Sequence, residues 1–308
     1  MSNRQLGRED GQMLVIFAIC LVAIIGMTGL VIDGGMTFVQ QREQQNVADT
    51  AAMAGAYAFV NSNDTNDAAP AARAAAAANG YVTGTDGVTI TVTTSLSSGA
   101  IEVTATVTKP HRNYFSGIFG FTSWPVTTTA TAQGGMPNAA LGAMPILFNK
   151  KAFPHAVGPQ AEMSFDEPGS GSEDVPQSAG QFNWTVYCTA TGNPCNANSS
   201  EVDDLIHNNG HSTLVTLDDD IGPLNAGAHA TLFSDLAAYV GGEFPVAVVD
   251  DDGNLQGWAM FHLTGSVGGS TKQIRGYFVS PVNRANMKIV QGGGTGLNFG
   301  VVPVRLTN

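Results

Sequence analysis

MLVIFAICLVAIIGMTGLVI, from Met13 to Ile32, is a run of twenty residues without a charge, Pro, Asn or Gln. As a helix it would span roughly 30 Å, the thickness of a bilayer's hydrocarbon core. Arg4, Arg8, Glu9 and Asp10 precede it, Asp33 follows it, and the helical pattern continues past it as a polar, Ala-rich segment. A cleaved signal peptide has a shorter apolar region and a small-residue site close behind it. Here the first Ala-x-Ala candidate, Ala52-Met53-Ala54, lies well inside the continuing helix pattern. The run therefore reads as an uncleaved single-pass anchor that contacts the lipid bilayer.

Two arginines before the span and only Arg42 shortly after it place residues 1–12 in the cytoplasm by the positive-inside rule. The remainder is then extracytoplasmic. Cys188 and Cys195 enclose TATGNP, a turn-rich loop that a disulfide would staple in an oxidising compartment. Cys20 lies in the apolar run, where it acts as a small hydrophobe.

Charged residues make up 12% of the chain and the net charge is −12. Between Lys151 and Lys272 there is no Lys or Arg but there are sixteen acidic residues. Such a surface repels nucleic acid, which is excluded as a partner. The chain is long enough for two domains after the anchor.

Gly34-Gly35 is expected to loosen the helix at the membrane surface. Beyond it Met36, Val39, Val47, Ala51, Ala54 and Ala58 keep to one face, a narrow stripe suited to close contact with another helix or a sheet. A second helix is predicted over Asp67–Asn79, with Pro70 in its first turn and Gly80 closing it. Val88, Ile90 and Val92, then Ile101, Val103, Ala105 and Val107, alternate with polar residues and predict a β-hairpin with one apolar face. Phe115–Phe119 is a short aromatic-rich element, Val126–Ala132 reads as a third strand, and Gly134-Gly135 reads as a hinge. The expected fold is α+β: a transmembrane helix at 13–32 continuing into a long helix on a small antiparallel sheet over 33–135, then an acidic β-rich domain over 140–308. In the latter, strands are predicted at 145–149, 182–188, 213–217, 244–250, 256–264, 274–280 and 299–306, with helices at 200–208 and 230–240.

These residues carry a family resemblance. Gly11, the apolar run, Asp33-Gly34-Gly35 and the helix Gln45-Asn46-Val47-Ala48-Asp49-Thr50-Ala51-Ala52-Met53-Ala54-Gly55-Ala56 resemble the N-terminal module of TadE/TadG-like Flp (tight-adherence) pilus-assembly proteins. The resemblance extends through the hairpin, FSGIFG at Phe115–Gly120, and VTTTATA at Val126–Ala132. It implies a bitopic inner-membrane protein that acts through assembly with other Tad subunits, or with copies of itself, rather than as an enzyme. On this reading the interaction helix comprises Asp33, Gln45, Asn46, Ala48, Asp49, Ala51, Ala52 and Gly55. Prepilins of related systems carry Glu five residues after their cleavage Gly; counted from Gly11 that position is Ile16, so a retained anchor is expected rather than an extracted major subunit.

Other chemistry is sparse. Asp203, His207 and His211 are spaced by four, but Asn208-Asn209-Gly210 stops the helix before His211. Asp218, Asp219 and Asp220, and Asp250, Asp251 and Asp252, are packed carboxylates that invite Ca²⁺, yet they equally suit solvated turns and lack EF-hand spacing. A Ca²⁺-dependent surface adhesin or ligand-binding module is the alternative function. No Gly-x-Ser-x-Gly elbow is present, and Gly292–Gly296 lacks the Lys of a phosphate loop. No catalytic residue and no firm cofactor is assigned.

Overall fold

The computed structural model describes residues 9–97, 100–168, 175–188, 198–223, 229–280, 286–289, 297–301 and 303–307. One helix, α1 (Glu9–Ser62), takes in the apolar run and everything to the end of the Ala-rich segment without a break. Its 54 residues make it about 80 Å long. Gly34 and Gly35 do not interrupt it: a Cβ at either would meet open space, and the Thr37 hydroxyl donates to the Asp33 carbonyl at 2.8 Å across that turn. Asn63, in the left-handed region at φ 56°, closes it. The Asp64 side chain then accepts the Asn66 N–H at 2.9 Å and turns the chain into α2 (Ala68–Ala78), which Gly80 ends at φ 84°.

β1 (Thr89–Ser97) and β2 (Ala100–Arg112) form the expected hairpin, and β3 (Ser123–Gly135) extends it. Val88, Ile90, Ile101, Val103, Ala105, Val107, Ala130 and Ala132 are buried against α1 and α2. The opposite face carries a threonine ladder: Thr104–Thr131, Thr106–Thr129 and Thr108–Thr127 hydroxyls meet at 2.8, 3.1 and 2.9 Å. Cross-strand pairs of this kind each add a few tenths of a kcal/mol, up to about 1 kcal/mol.

Gly134-Gly135 is not a hinge. Both residues are paired in β3 opposite Ile101 and Ala100, and a Cβ on Gly134 would lie 3.1 Å from the Ala56 Cβ and carbonyl. The glycine lets α1 lie directly on the strand.

The rest of the chain forms β4 (Ala139–Ala140), β5 (Ile146–Asn149), β6 (Met163–Asp166), β7 (Phe182–Cys188), α3 (Ser199–His207), β8 (Val215–Thr216), β9 (Asp220–Pro223), α4 (Ala230–Leu236), β10 (Glu243–Val249), β11 (Leu255–Val267), β12 (Gln273–Val279), β13 (Met287–Lys288) and β14 (Val304–Leu306). A seven-stranded sheet runs β6-β12-β11-β10-β5-β7-β9, antiparallel except where β10 and β5 run parallel. One face packs Phe148, Phe165, Phe182, Trp184, Phe261 and Phe278 under α3 and α4. The other packs Leu147, Tyr187, Trp258 and Met260 against the small sheet β13-β4-β8. α3 starts on a capping box between Asn198 and Glu201, so Asn198 rather than Ser200 is its N-cap.

β14 does not stay with this second sheet. It returns to the first and pairs with β3, Val304 opposite Gly134 and Leu306 opposite Ala132. Arg305 donates to the Gln133 side chain at 3.0 Å beside that pairing.

Candidate functional site where the apolar helix meets the sheet

Asp33 is the first ionisable residue after the uncharged run, and its side chain is fully buried. It faces the loop between β2 and β3. Its Oδ1 accepts the Tyr114 N–H at 3.0 Å, and its Oδ2 accepts those of Phe115 and Ser116 at 3.1 and 2.6 Å. Burial by itself would raise the acid's pKa; the N–H groups, Ser116's above all, outweigh it and hold Asp33 at about 2. At neutral pH the carboxylate is therefore an anion that organises the loop. One turn below, Gly29 admits the Phe115 ring: a Cβ at position 29 would lie 2.6 Å from the Phe115 Cβ.

Above Asp33 the same helix face continues as a polar stripe at three- and four-residue steps. Trp124 Nε1 donates to Thr37 Oγ1 at 2.9 Å. Gln40 Oε1 accepts from His111 Nδ1 at 2.8 Å, while its Nε2 donates to the Lys109 carbonyl at 3.1 Å. Gln44 is fully buried and donates to the carbonyls of Val126 and Val107 at 2.9 and 3.3 Å. Gln45 reaches the Thr129 carbonyl at 3.2 Å and Asp49 at 2.8 Å. From Val47 onward the face becomes small and apolar.

The residues expected to form the interaction helix are mostly packed inside the chain. Ala48, Ala51, Ala52 and Ala56 are fully buried against the chain's own sheet and α2. A Cβ on Gly55 would meet the Ala68 carbonyl at 2.8 Å and Val103 Cγ1 at 2.9 Å. The small residues are needed because α1 lies at contact distance on two neighbours at once. They are buried within the chain's own fold. Of the eight residues, Asn46 is exposed, while Gln45 and Asp49 bond one another at the margin.

The acidic turns have partners within the protein. Asp250 accepts the N–H groups of Asp252 and Asn254 at 3.0 and 2.9 Å and Gln256 Nε2 at 2.8 Å. Against the upward push of burial, its bonds to Asn254 and Asp252 and the charge of Lys150 keep it below the usual carboxylate range. Lys151 grips Asp251 at 2.7 Å, with Asn149 adding a bond at 2.9 Å, and these hold Asp251 low as well. Asp219 caps the Thr216 N–H at 2.7 Å. Asp218 lies in the turn before β9, Asp220 in β9 and Asp252 in the turn before β11.

Asp203 and His207 do come together on α3, but with Asp235 of α4 rather than with His211. His211 instead bonds Thr213 at 3.0 Å. Hydrogen bonding to the Asp203 carbonyl, then the Asp203 charge, raises the His207 pKa. Burial and the facing Asp203 raise that of Asp235. Asp235 is far from the other two in sequence, so the i, i+4 spacing could not reveal it. Glu167, also distant, is buried between His229 and Lys272. Cys20 is a free thiol on α1 and Cys188 ends β7; Cys195 and Gly292–Gly296 lie outside the described residues.

A single long helix, apolar for its first half and laid on an antiparallel sheet for its second, is the class of protein this geometry defines. Residues 11–58, which fall wholly within α1, match the family described as "Putative Flp pilus-assembly TadE/G-like". No curated protein and no solved structure matches the chain.

Proposed function

We propose that the chain is a single-pass component of a Tad/Flp pilus-assembly system, held in the inner membrane by Met13–Ile32 with residues 1–12 inside and 33–308 outside. It works by protein–protein contact and not by catalysis. The observation that carries this reading is the uninterrupted α1: one helix is both the segment long and apolar enough to cross a bilayer and the backing of the extracytoplasmic sheet. The family match over 11–58 supplies the pilus context. Ile16, where related prepilins carry Glu, supports a retained anchor.

Partner subunits meet the side of α1 that the sheet leaves free, where Phe38, Val39 and Asn46 are exposed. On this reading Cys188 and Cys195 lie on the oxidising side of the membrane, where a bridge between them can form.

The test is a photo-crosslinker placed at Val39 in cells that build the pili. Adducts with Tad subunits, or with a second copy of the chain, are expected. A chain that yields neither, or that carbonate washes from the membrane, contradicts the proposal.

A further inference from the structure

The loop between β2 and β3 runs TyrPheSerGlyIlePheGlyPhe over Tyr114–Phe121, without a charge. Three of its apolar side chains are largely exposed: Ile118 is 79% exposed, Phe119 68% and Phe121 67%. They do not sit beside the polar part of α1. With Val22, Ile25 and Leu30 they line an apolar groove of about 440 Å³. Val22 lies eleven residues before Asp33, which is about 16 Å along a helix axis and close to half of a bilayer's hydrocarbon thickness.

We propose that Tyr114–Phe121 is a second membrane element, inserted beside α1 into the acyl chains of the leaflet on the extracytoplasmic side. The inference rests on the anchored reading of Met13–Ile32.

Irregular backbone survives at hydrocarbon depth only if its polar groups are satisfied internally, since lipid offers no partner. Most of this loop's backbone N–H groups have partners within the chain. Asp33 takes the N–H groups of Tyr114, Phe115 and Ser116. Asn113, Ile118, Gly120 and Phe121 donate to carbonyls of Thr122, Phe115, Gly117 and Ser116 at 3.0–3.1 Å. The Asn113 side chain covers the Phe121 carbonyl at 2.8 Å. The flanks match an interfacial position: exposed Arg112 and half-buried Trp124 stand where the loop leaves the sheet. Two points of insertion, helix and loop, would fix the tilt of the sheet relative to the bilayer.

The full chain is reconstituted in phosphatidylcholine vesicles with brominated acyl chains, and tryptophan fluorescence is compared with that in unbrominated vesicles. Four variants are read against the parent, whose own three tryptophans set the background: Ile118→Trp, Phe119→Trp, Val22→Trp in the span, and Leu96→Trp at the far end of the sheet. The expected result is added quenching at positions 118 and 119 comparable to that at 22, with none at 96. Quenching at 22 without quenching at either loop position overturns the inference, whether water, a second copy or another protein covers the loop. Failure of quenching at 22 refutes the anchored reading itself. Ile118 is the more exposed of the two loop sites, so its variant tests the idea even if Phe119→Trp disturbs the fold.

Discussion

The Asp33 carboxylate accepts the backbone N–H of Ser116 at 2.6 Å, joining residues 83 apart in the chain. That bond ties the end of the apolar run to the loop beneath the sheet, and the Gly29–Phe115 contact lies next to it. Helix and sheet are thereby locked at the end nearest the apolar run as well as along the alanine face.

Removing the carboxylate should release the loop while leaving the sheet in place. In Asp33→Ala, the amides of Tyr114, Phe115 and Ser116 lose hydrogen-exchange protection, while those of β2 above Lys109 keep theirs. Equal protection in parent and variant would show that the carboxylate does not organise the loop.

The same bond sets an acid limit. Because the folded pKa of Asp33 lies below its ordinary value of 3.8, its stabilisation is fully present above 3.8 and is lost as pH falls towards about 2. Amide shifts of residues 114–116, followed by NMR on the detergent-solubilised chain, should stay flat from pH 8 to pH 4. A titration of those amides within that range would contradict the assignment.

Gly55→Leu forces a side chain into a space already bounded by Val103 and the Ala68 carbonyl. Overpacking of this kind costs about 1–3 kcal/mol, to be read from chemical denaturation of the full chain. Asn46→Ala, on the exposed side, should stay within about 0.5 kcal/mol of the parent. An assembly defect in Gly55→Leu with unchanged stability would revive a partner-facing alanine stripe.

Gln44→Leu keeps volume but deprives two interior carbonyls, Val107 and Val126, of their donor. Loss of a buried hydrogen-bond partner costs about 1–3 kcal/mol. Denaturation should report a drop of that size. A neutral result would mean that these carbonyls are satisfied without the glutamine.

Calcium should do little. Asp250 and Asp251 spend their oxygens on backbone N–H groups, Gln256, Asn149 and Lys151. Thermal melts with added Ca²⁺ and with chelator are expected to coincide. A clear rise in Tm with Ca²⁺ would restore the adhesin reading.

What the sequence made legible was local. The apolar helix, the second helix with its Pro70 entry and Gly80 exit, and the Val/Ile alternation of the hairpin depend on neighbours a few residues apart, and the structure repeats them. Asp33 stood out as a charge at the end of the run, but its partners are more than eighty residues away, and no spacing rule connects them. Small residues at Ala48, Ala51 and Gly55 announced a close contact without saying with what; only the finished sheet shows that the chain supplies it. The same limit explains Gly134, whose freedom serves packing on Ala56 rather than bending. It explains Asp235 beside His207, and β14, a strand recognisable from its pattern whose return to β3 is a matter of topology.

The central claim is that Met13–Ile32 remains part of a protein whose later residues lie outside the cytoplasm. Intact-mass measurement of the chain extracted from washed inner membranes, before and after protease treatment of spheroplasts, tests it most directly. The account predicts a mass that includes the span, and a protected fragment after proteolysis that retains Met13–Ile32. A soluble chain whose mass begins beyond Ile32 would contradict it.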